Sequence, residues 1–228
     1  MTLTLFTANR NYSSWSLRPW VLMKVLGIPF EDRIVTFAGL DNRAAFRAFS
    51  PTGTVPALHD GGRVVWDSLG IALYLADRFA GVWPEDEAAR AWAQCAVCEM
   101  HAGFAALRND CTMNVGVRVR RHPDSPALAR DLARIAELFE EGLERFGGPF
   151  LAGPAFTAAD AFYAPVVYRV RTYDIALGPL ATGWSERMLA LPAMRAWEEA
   201  ALAEPYREAG HEAELAAAGA ILEDRRRA

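Results

Sequence analysis

Pro56-Ala57-Leu58-His59 and Arg63-Val64-Val65-Trp66 flank Asp60-Gly61-Gly62, and together they read as a β-hairpin. Asp and Gly accept the positive φ that a tight turn demands, while the flanks carry residues that fit a pleated sheet. Upstream, Thr2 to Thr7 alternates like a strand, and Ser16 to Leu26 is apolar at helical spacing until Gly27 ends it. Pro19 falls early, where a first turn tolerates it. Arg33 to Phe37 reads as a second strand and Asn42 to Phe49 as a short helix. Downstream, Ser68 to Phe79 is helical, with Leu69, Ala72, Leu73 and Ala76 on one face. The order is β-α-β-α-β-β-α. Such alternation implies parallel strands covered by helices, with the hairpin adding an antiparallel edge.

Beyond this unit the strand signals fade. Gly81 to Glu85, containing Pro84, reads as a linker. Glu87 to Leu107, Ala127 to Phe146, Ala158 to Val170 and Glu186 to Ala203 are helical in pattern, with Pro165 and Pro192 expected to kink a helix or move a boundary. Gly147-Gly148-Pro149 and Gly178-Pro179 are breaks. The expected organisation is an α/β domain over residues 1–80, a linker over 81–86 and an all-helical domain over 87–228. The tail from Glu208, ending in Arg225-Arg226-Arg227, reads as a partly exposed helix with a frayed end.

At 228 residues and a formal net charge of -4, the chain has a full core and lacks the broad basic face of a nucleic-acid binder. Lys24 is the only lysine. No run reaches the eighteen apolar residues of a spanning helix, and Met1 to Phe6 lacks the basic start of a secretory signal. Cys95, Cys98 and Cys111 are an odd number and give no disulfide framework, so the expected setting is cytoplasmic, with reduced thiols. The four histidines show no metal spacing.

Chemistry concentrates in Asn11-Tyr12-Ser13-Ser14-Trp15-Ser16, which follows a strand and opens a helix. Hydroxyls at a helix N-terminus suit an anion, because unpaired N–H groups and the positive end of the dipole point there. A thiolate is such an anion. Thr54-Val55-Pro56, at the head of a strand, and Asp67-Ser68, at the head of the third helix, are the other two pieces.

Tyr12-Ser13-Ser14-Trp15-Ser16-Leu17-Arg18, Val55-Pro56, Trp66-Asp67-Ser68-Leu69-Gly70-Ile71-Ala72-Leu73-Tyr74-Leu75 and Phe156-Thr157-Ala158-Ala159-Asp160 resemble the cytosolic glutathione S-transferases. The resemblance covers nearly the whole chain. The first segment is most similar to the zeta class, a serine-type group whose motif reads Ser-Ser-Cys-Ser followed by an aromatic and an arginine. Trp15 stands where that class often has cysteine. The resemblance implies a thioredoxin-like α/β domain that binds glutathione, an all-α domain that supplies the electrophile pocket, and a homodimer with each site near the partner's helical half.

It also implies roles for residues. Ser13 falls on the family's catalytic serine when Ser16 and Arg18 are matched to the zeta pattern, and is the expected hydroxyl donor to the thiolate. Ser14 comes second, assisting through its N–H, and Tyr12 third, because other classes use a tyrosine hydroxyl nearby. A free thiol titrates near ~8.5, and bringing it to ~6.5 needs roughly 2.7 kcal/mol. A helix end supplies about 0.3–1 kcal/mol, at most near 2. A hydrogen bond to a charged partner adds about 1.5–3 kcal/mol. The two together suffice; neither alone is comfortable.

Pro56 is implied to be cis, which leaves the Val55 N–H and C=O to pair with an extended tripeptide as an added strand. Asp67 is implied for the γ-glutamyl ammonium and Ser68 for its carboxylate, and both also read as a helix cap. Thr54 occupies a place where the family often has a longer side chain. Asn42, Arg43 and Arg47 are candidates for the glycyl carboxylate. Trp15, Met100, Phe104, Leu107 and Arg108 are expected to line the electrophile pocket between the domains, Arg108 being suited to an acidic substrate.

The expected activity is therefore a glutathione transferase acting on small apolar electrophiles. The alternatives are a glutathione-dependent cis–trans isomerase of the maleylacetoacetate type and a non-catalytic interaction module that kept the fold. A thiol reductase would need cysteine at the start of the first helix. Cys95-Ala96-Val97-Cys98 is a CxxC, but it falls inside a helix rather than at a strand-to-helix turn. Thr157 and Asp160 form a capping-box pair that anchors a helix, and Arg118, Arg120, Arg121 and His122 read as a solvated basic cluster.

Overall fold

The computed structural model describes residues 2–37, 39 and 41–227. Its first half runs β1 (Leu3–Thr7), α1 (Ser14–Val25), β2 (Phe30–Ile34), α2 (Arg43–Phe46), β3 (Ala57–Asp60), β4 (Arg63–Val65) and α3 (Ser68–Ala76). The four strands form one mixed sheet in the order β2-β1-β3-β4. β1 and β2 are parallel, with Leu3 opposite Phe30 and Thr7 opposite Ile34. β3 is antiparallel to β1, placing Leu58 opposite Leu5, and the hairpin closes with Asp60 opposite Arg63. Gly61, at φ 59°, supplies the left-handed turn residue. A thioredoxin-like α/β domain followed by a helical domain is the architecture expected.

Local boundaries differ where pairing overrides pattern. β2 starts at Phe30 rather than Arg33, because its parallel register with β1 selects the paired segment. α1 starts at Ser14, with the Leu17 amide donating to the Ser13 carbonyl at 3.2 Å. Pro19 is thus the sixth helical residue, past the first turn, and leaves the Trp15 carbonyl without its usual i+4 donor.

The second half runs α4 (Glu87–Ala102), α5 (Ala105–Asp110), β5 (Val117–Arg121), α6 (Pro126–Arg145), α7 (Ala158–Tyr173), α8 (Pro179–Ala190), α9 (Pro192–Ala203), α10 (Ala209–Ala218) and β6 (Gly219–Asp224). The helix from Glu87 does not continue to Leu107. At Gly103 the backbone turns extended, where a Cβ would sit 2.8 Å from the Glu99 carbonyl oxygen, and Phe104 takes a left-handed φ of 56°. Pro192 divides the expected helix over Glu186 to Ala203, opening α9 after an extended Leu191.

The basic cluster and the tail form an element that the sequence pattern did not announce. β5 and β6 pair antiparallel, with Val117 opposite Asp224 and Arg121 opposite Gly219. Val117 and Val119 point inward while Arg118 and Arg120 are more exposed, a period of two. The end expected to fray is instead tied down. The Arg225 amide donates to the Gly116 carbonyl at 2.8 Å, and Arg226 is buried against Asp224 and Glu212.

α7 organises the molecule. Every residue from Ala158 to Arg169 is buried, as befits a helix covered on all sides. Its alanines let α1 and α4 approach closely, so α1 lies between the sheet and α7. The capping box is present as expected. The buried Asp160 carboxylate accepts from the amides of Leu151 (2.9 Å) and Thr157 (3.0 Å) and from Trp184 Nε1 (2.9 Å). Burial pushes its pKa up to about 6. Among the described residues, no helix is long and apolar enough to cross a membrane.

Candidate active site

The head of α1 is held from both sides. The Ser13 amide donates to the Asn9 carbonyl at 2.9 Å. Asn11 Nδ2 donates to the Ala201 carbonyl at 2.6 Å, and Trp197 Nε1 donates to the Arg10 carbonyl at 2.9 Å, so α9 grips the loop before the serines. Ser13 Oγ donates to Ser16 Oγ at 2.7 Å, and Ser16 Oγ also accepts the Ala8 amide at 3.2 Å. Ser14 Oγ accepts from Arg169 Nη2 at 3.5 Å, and the guanidinium is fixed through Nε to the Cys111 carbonyl at 2.8 Å. Both serines are buried to within a few per cent of exposure.

A cleft of about 370 Å³ opens at this point. α1 contributes Ser13, Ser14 and Trp15, and the segment before β3 contributes Thr54 and Val55. The Val55–Pro56 bond is cis. Asn42 and Arg43 line the cleft from the α2 side, Arg108 from α5 and Arg169 from α7, while His211 and Glu214 reach it from α10. Nine of the expected site residues therefore meet in one cavity: Tyr12, Ser13, Ser14, Trp15, Asn42, Arg43, Thr54, Val55 and Arg108.

Others lie outside its lining. Pro56 is buried behind Val55. Asp67 caps α3, accepting from the amides of Leu69 (2.9 Å) and Gly70 (3.4 Å), and its other oxygen lies 3.4 Å from His101 Nε2. Ser68 Oγ is buried and has no hydrogen-bond partner. Met100 and Phe104, expected to face the electrophile, are core residues at 3% and 6% exposure, as is Leu107. The break at Gly103 is the reason: it turns Phe104 toward Tyr163 while Arg108 reaches the cleft. Arg47 does not line the cleft.

Electrostatics at the cleft floor are dominated by guanidinium groups. Trp15 lies between Arg18, whose Cζ is 4.0 Å from the ring centroid, and Arg108 at 5.6 Å. Burial pushes the Arg18 pKa down to about 9, with the Arg169 and Arg108 charges adding to the effect. Burial likewise pushes Arg169 down to about 10. The Tyr12 hydroxyl is engaged elsewhere, donating to Glu212 Oε1 at 2.7 Å, and burial followed by that bond raises its pKa. Its ring stacks on His211 at 4.7 Å. Cys95 and Cys98 are exposed within α4, and burial pushes the Cys111 thiol up to about 11. Among the described residues, no cluster of three or more His, Cys, Asp or Glu side chains is arranged to hold a metal.

Arg169, Phe37 and His211 were not anticipated. Arg169 had a signal, being the first cation after an apolar stretch of helix, Ala161 to Val167. His211 had none, because only the fold of the tail brings α10 to the cleft.

A thioredoxin-like sheet domain joined to a helical domain, with a hydroxyl-bearing cleft at the head of α1, defines the class of fold. Residues 12–78 match the glutathione S-transferase N-terminal domain and residues 125–200 the glutathione S-transferase C-terminal domain, together more than half of the chain. The chain belongs to the glutathione S-transferase family.

A zeta-class glutathione S-transferase of Euphorbia esula is 27% identical over 187 residues, covering 79% of this chain and 83% of its own. A probable maleylacetoacetate isomerase of Caenorhabditis elegans is 21% identical over 180 residues, covering 78% of this chain and 83% of its own. The theta-class enzyme of the citrus canker pathogen Xanthomonas axonopodis pv. citri, solved with glutathione bound, superposes with a TM-score of 0.64 at 26% identity, covering 90% of this chain and 99% of its own.

Proposed function

We propose that this chain is a glutathione transferase that binds glutathione along the cleft and stabilises its thiolate for attack on small apolar electrophiles. One observation carries the reading: two serine hydroxyls at a helix N-terminus and the Val55 backbone beside a cis proline share a single cavity. Glutathione supplies the thiol. The chain's part is to hold the peptide extended against Val55, to bind its two ends, and to favour the charged sulfur over the neutral one.

The hydrogen bonding ranks the two serines. Ser13 gives its proton to Ser16, whereas Ser14 Oγ receives an N–H from Arg169 and keeps its own proton to donate. Ser14 is therefore the better donor to sulfur, with Ser13 supporting the turn. The orphaned Ser68 Oγ suits the γ-glutamyl carboxylate, and Asp67 the ammonium. Arg43 and Asn42 line the cleft where the glycyl carboxylate would lie, while Arg47 does not.

A second reading, a glutathione-dependent isomerase of the maleylacetoacetate type, draws on the zeta-class and isomerase relatives. Trp15 in place of cysteine weighs against it. We place the reaction in the cytoplasm and in a homodimer, with residues 1–80 binding glutathione, 81–86 linking and 87–228 supplying the acceptor pocket. The exposed apolar side chains of Trp66 and Leu73 offer a face for a second copy.

Calorimetry with glutathione, together with a pH titration of thiolate absorbance in the complex, tests the proposal. Binding with a thiol pKa well below ~8.5 is expected. No heat on mixing leaves the interaction-module alternative. Faster isomerisation than conjugation replaces the leading reading with the second.

A further inference from the structure

α10 lies beyond residues 125–200, the part that matches the family's C-terminal domain, yet it lines the cleft. His211 is one of its two contributions there. The imidazole stacks on the Tyr12 ring at 4.7 Å and tilts against Phe37 at 5.0 Å, so it is held between the head of α1 and the segment after β2. Phe37 in turn meets Phe46, the last residue of α2, at 5.8 Å, and α2 brings Arg43 to the cleft. His211 and Arg43 therefore border the same end of the cavity, joined through Phe37 and Phe46.

Glu208, the N-cap of α10, fixes the protons of the ring. Its Oε2 lies 2.7 Å from His211 Nδ1 and accepts the His211 amide at 2.8 Å, while Oε1 accepts the Gly210 amide at 3.0 Å. Burial works to raise the Glu208 carboxyl, but these bonds and the His211 ring outweigh it and hold the group below its ordinary value. An ionised carboxylate only accepts, so Nδ1 carries a proton. Nε2 forms no hydrogen bond among the described residues. A carboxylate behind one ring nitrogen favours the imidazolium, whose other N–H can then meet an anion. The remaining charges of α10 are engaged or screened. Glu212 is bonded to Tyr12 and Arg226. Glu214 is exposed and also borders a separate hollow with Asp110 and His122, on the side of α10 that faces α5.

Glutathione extended along Val55, with its γ-glutamyl end at Asp67 and Ser68, brings its glycyl carboxylate to the end bordered by Arg43. We propose that His211 binds that carboxylate through Nε2, with Glu208 behind the ring, so that the C-terminal tail of this chain reads the free C-terminus of the tripeptide. The two aromatic rings hold the imidazole in one plane, and the paired carboxylate sets which nitrogen is left to donate. Arg43 adds a second cation from the other wall. The proposal rests on the transferase reading and gives one contact of its thiol substrate to a helix outside the matched domains.

The test compares glutathione with γ-glutamyl-cysteinyl-glycinamide, in which the glycyl carboxylate is a neutral amide of nearly the same shape. Their affinities for the full chain are measured by calorimetry under reducing conditions. Glutathione is expected to bind about tenfold or more tightly than the amide, the value of a charge-assisted contact. His211→Phe keeps a ring against Tyr12 and Phe37 but has no nitrogen to donate. In that variant the ratio should fall by roughly threefold or more, Arg43 supplying the rest, while the affinity for the amide changes little. His211→Gln is the second variant, should the first fail to fold, and the same fall is expected. Equal affinities in the native protein, a ratio unchanged in the variants, or an equal loss of both ligands overturns the assignment and leaves the transferase reading standing. If the native protein binds neither ligand, that reading falls and the assignment falls with it.

Discussion

The Tyr12 hydroxyl donates to Glu212 Oε1 at 2.7 Å, joining the head of α1 to a helix 200 residues later in the chain. Glu212 in turn holds Arg226, which also pairs with Asp224 on β6. This chain of bonds seats α10 over the cleft and brings His211 against Tyr12 and Phe37. α10 is therefore part of the site's wall.

Glu212→Ala should unseat that wall. It takes away the acceptor of the Tyr12 hydroxyl proton and strips the buried Arg226 of one of its two carboxylates. A stability loss of about 1–3 kcal/mol is expected in urea denaturation. The KM for glutathione should rise more than kcat falls, because the affected groups bound the cleft without donating to sulfur. An unchanged KM would show that α10 contributes nothing to binding.

Ser14→Ala should raise the pKa of the bound thiol and lower kcat/KM by roughly 10- to 100-fold, the value of a hydrogen bond to a charged partner. Ser13→Ala should do less, since that hydroxyl is committed to Ser16. Thiolate absorbance against pH in the two variants decides between them. A larger effect at Ser13 reverses the assignment.

Ser68→Ala separates binding from folding. A buried hydroxyl without a partner costs about 1–3 kcal/mol, so its removal should leave the free protein as stable or more so. Glutathione affinity should nevertheless drop about tenfold as the γ-glutamyl carboxylate loses a donor. Thermal melts with and without glutathione report both effects, and a variant that loses stability but not affinity contradicts the assignment.

Asp160 makes a prediction about pH. Its folded pKa is raised, from an ordinary 3.8 to about 6, so the folded state holds the proton more tightly than the unfolded chain does. Its contribution to stability is then fully present below pH ~4 and is lost as pH rises through ~6, by up to ~3 kcal/mol. Asp160→Asn should be destabilised throughout, because the capping box and the Trp184 bond are disturbed, yet should lack this decline. Equilibrium denaturation between pH 4 and pH 7 in both proteins measures the difference.

Much of the site was legible because it sits on local signals. The serines at the head of α1 and the proline before β3 each belong to a turn or cap whose chemistry is written in adjacent residues. Met100 and Phe104 were misplaced for the opposite reason. A helical stripe says that one face is buried, and not against what; the break at Gly103 then turned α5 away from the line α4 had set. The β5–β6 ribbon escaped notice because a strand's partner can lie anywhere, and here it lies a hundred residues on.

The sequence alone settled the order of elements in the first half, the helical character of the second and the residue types at the head of α1, all of which depend on neighbours within a few positions. Only the folded chain decided which side chains face the cleft, how the two serine hydroxyls divide their protons, and that arginines from α5 and α7 meet in one cleft. Those outcomes depend on contacts between residues as far apart as Ser14 and Arg169, and periodicity along a chain carries no record of what meets across it.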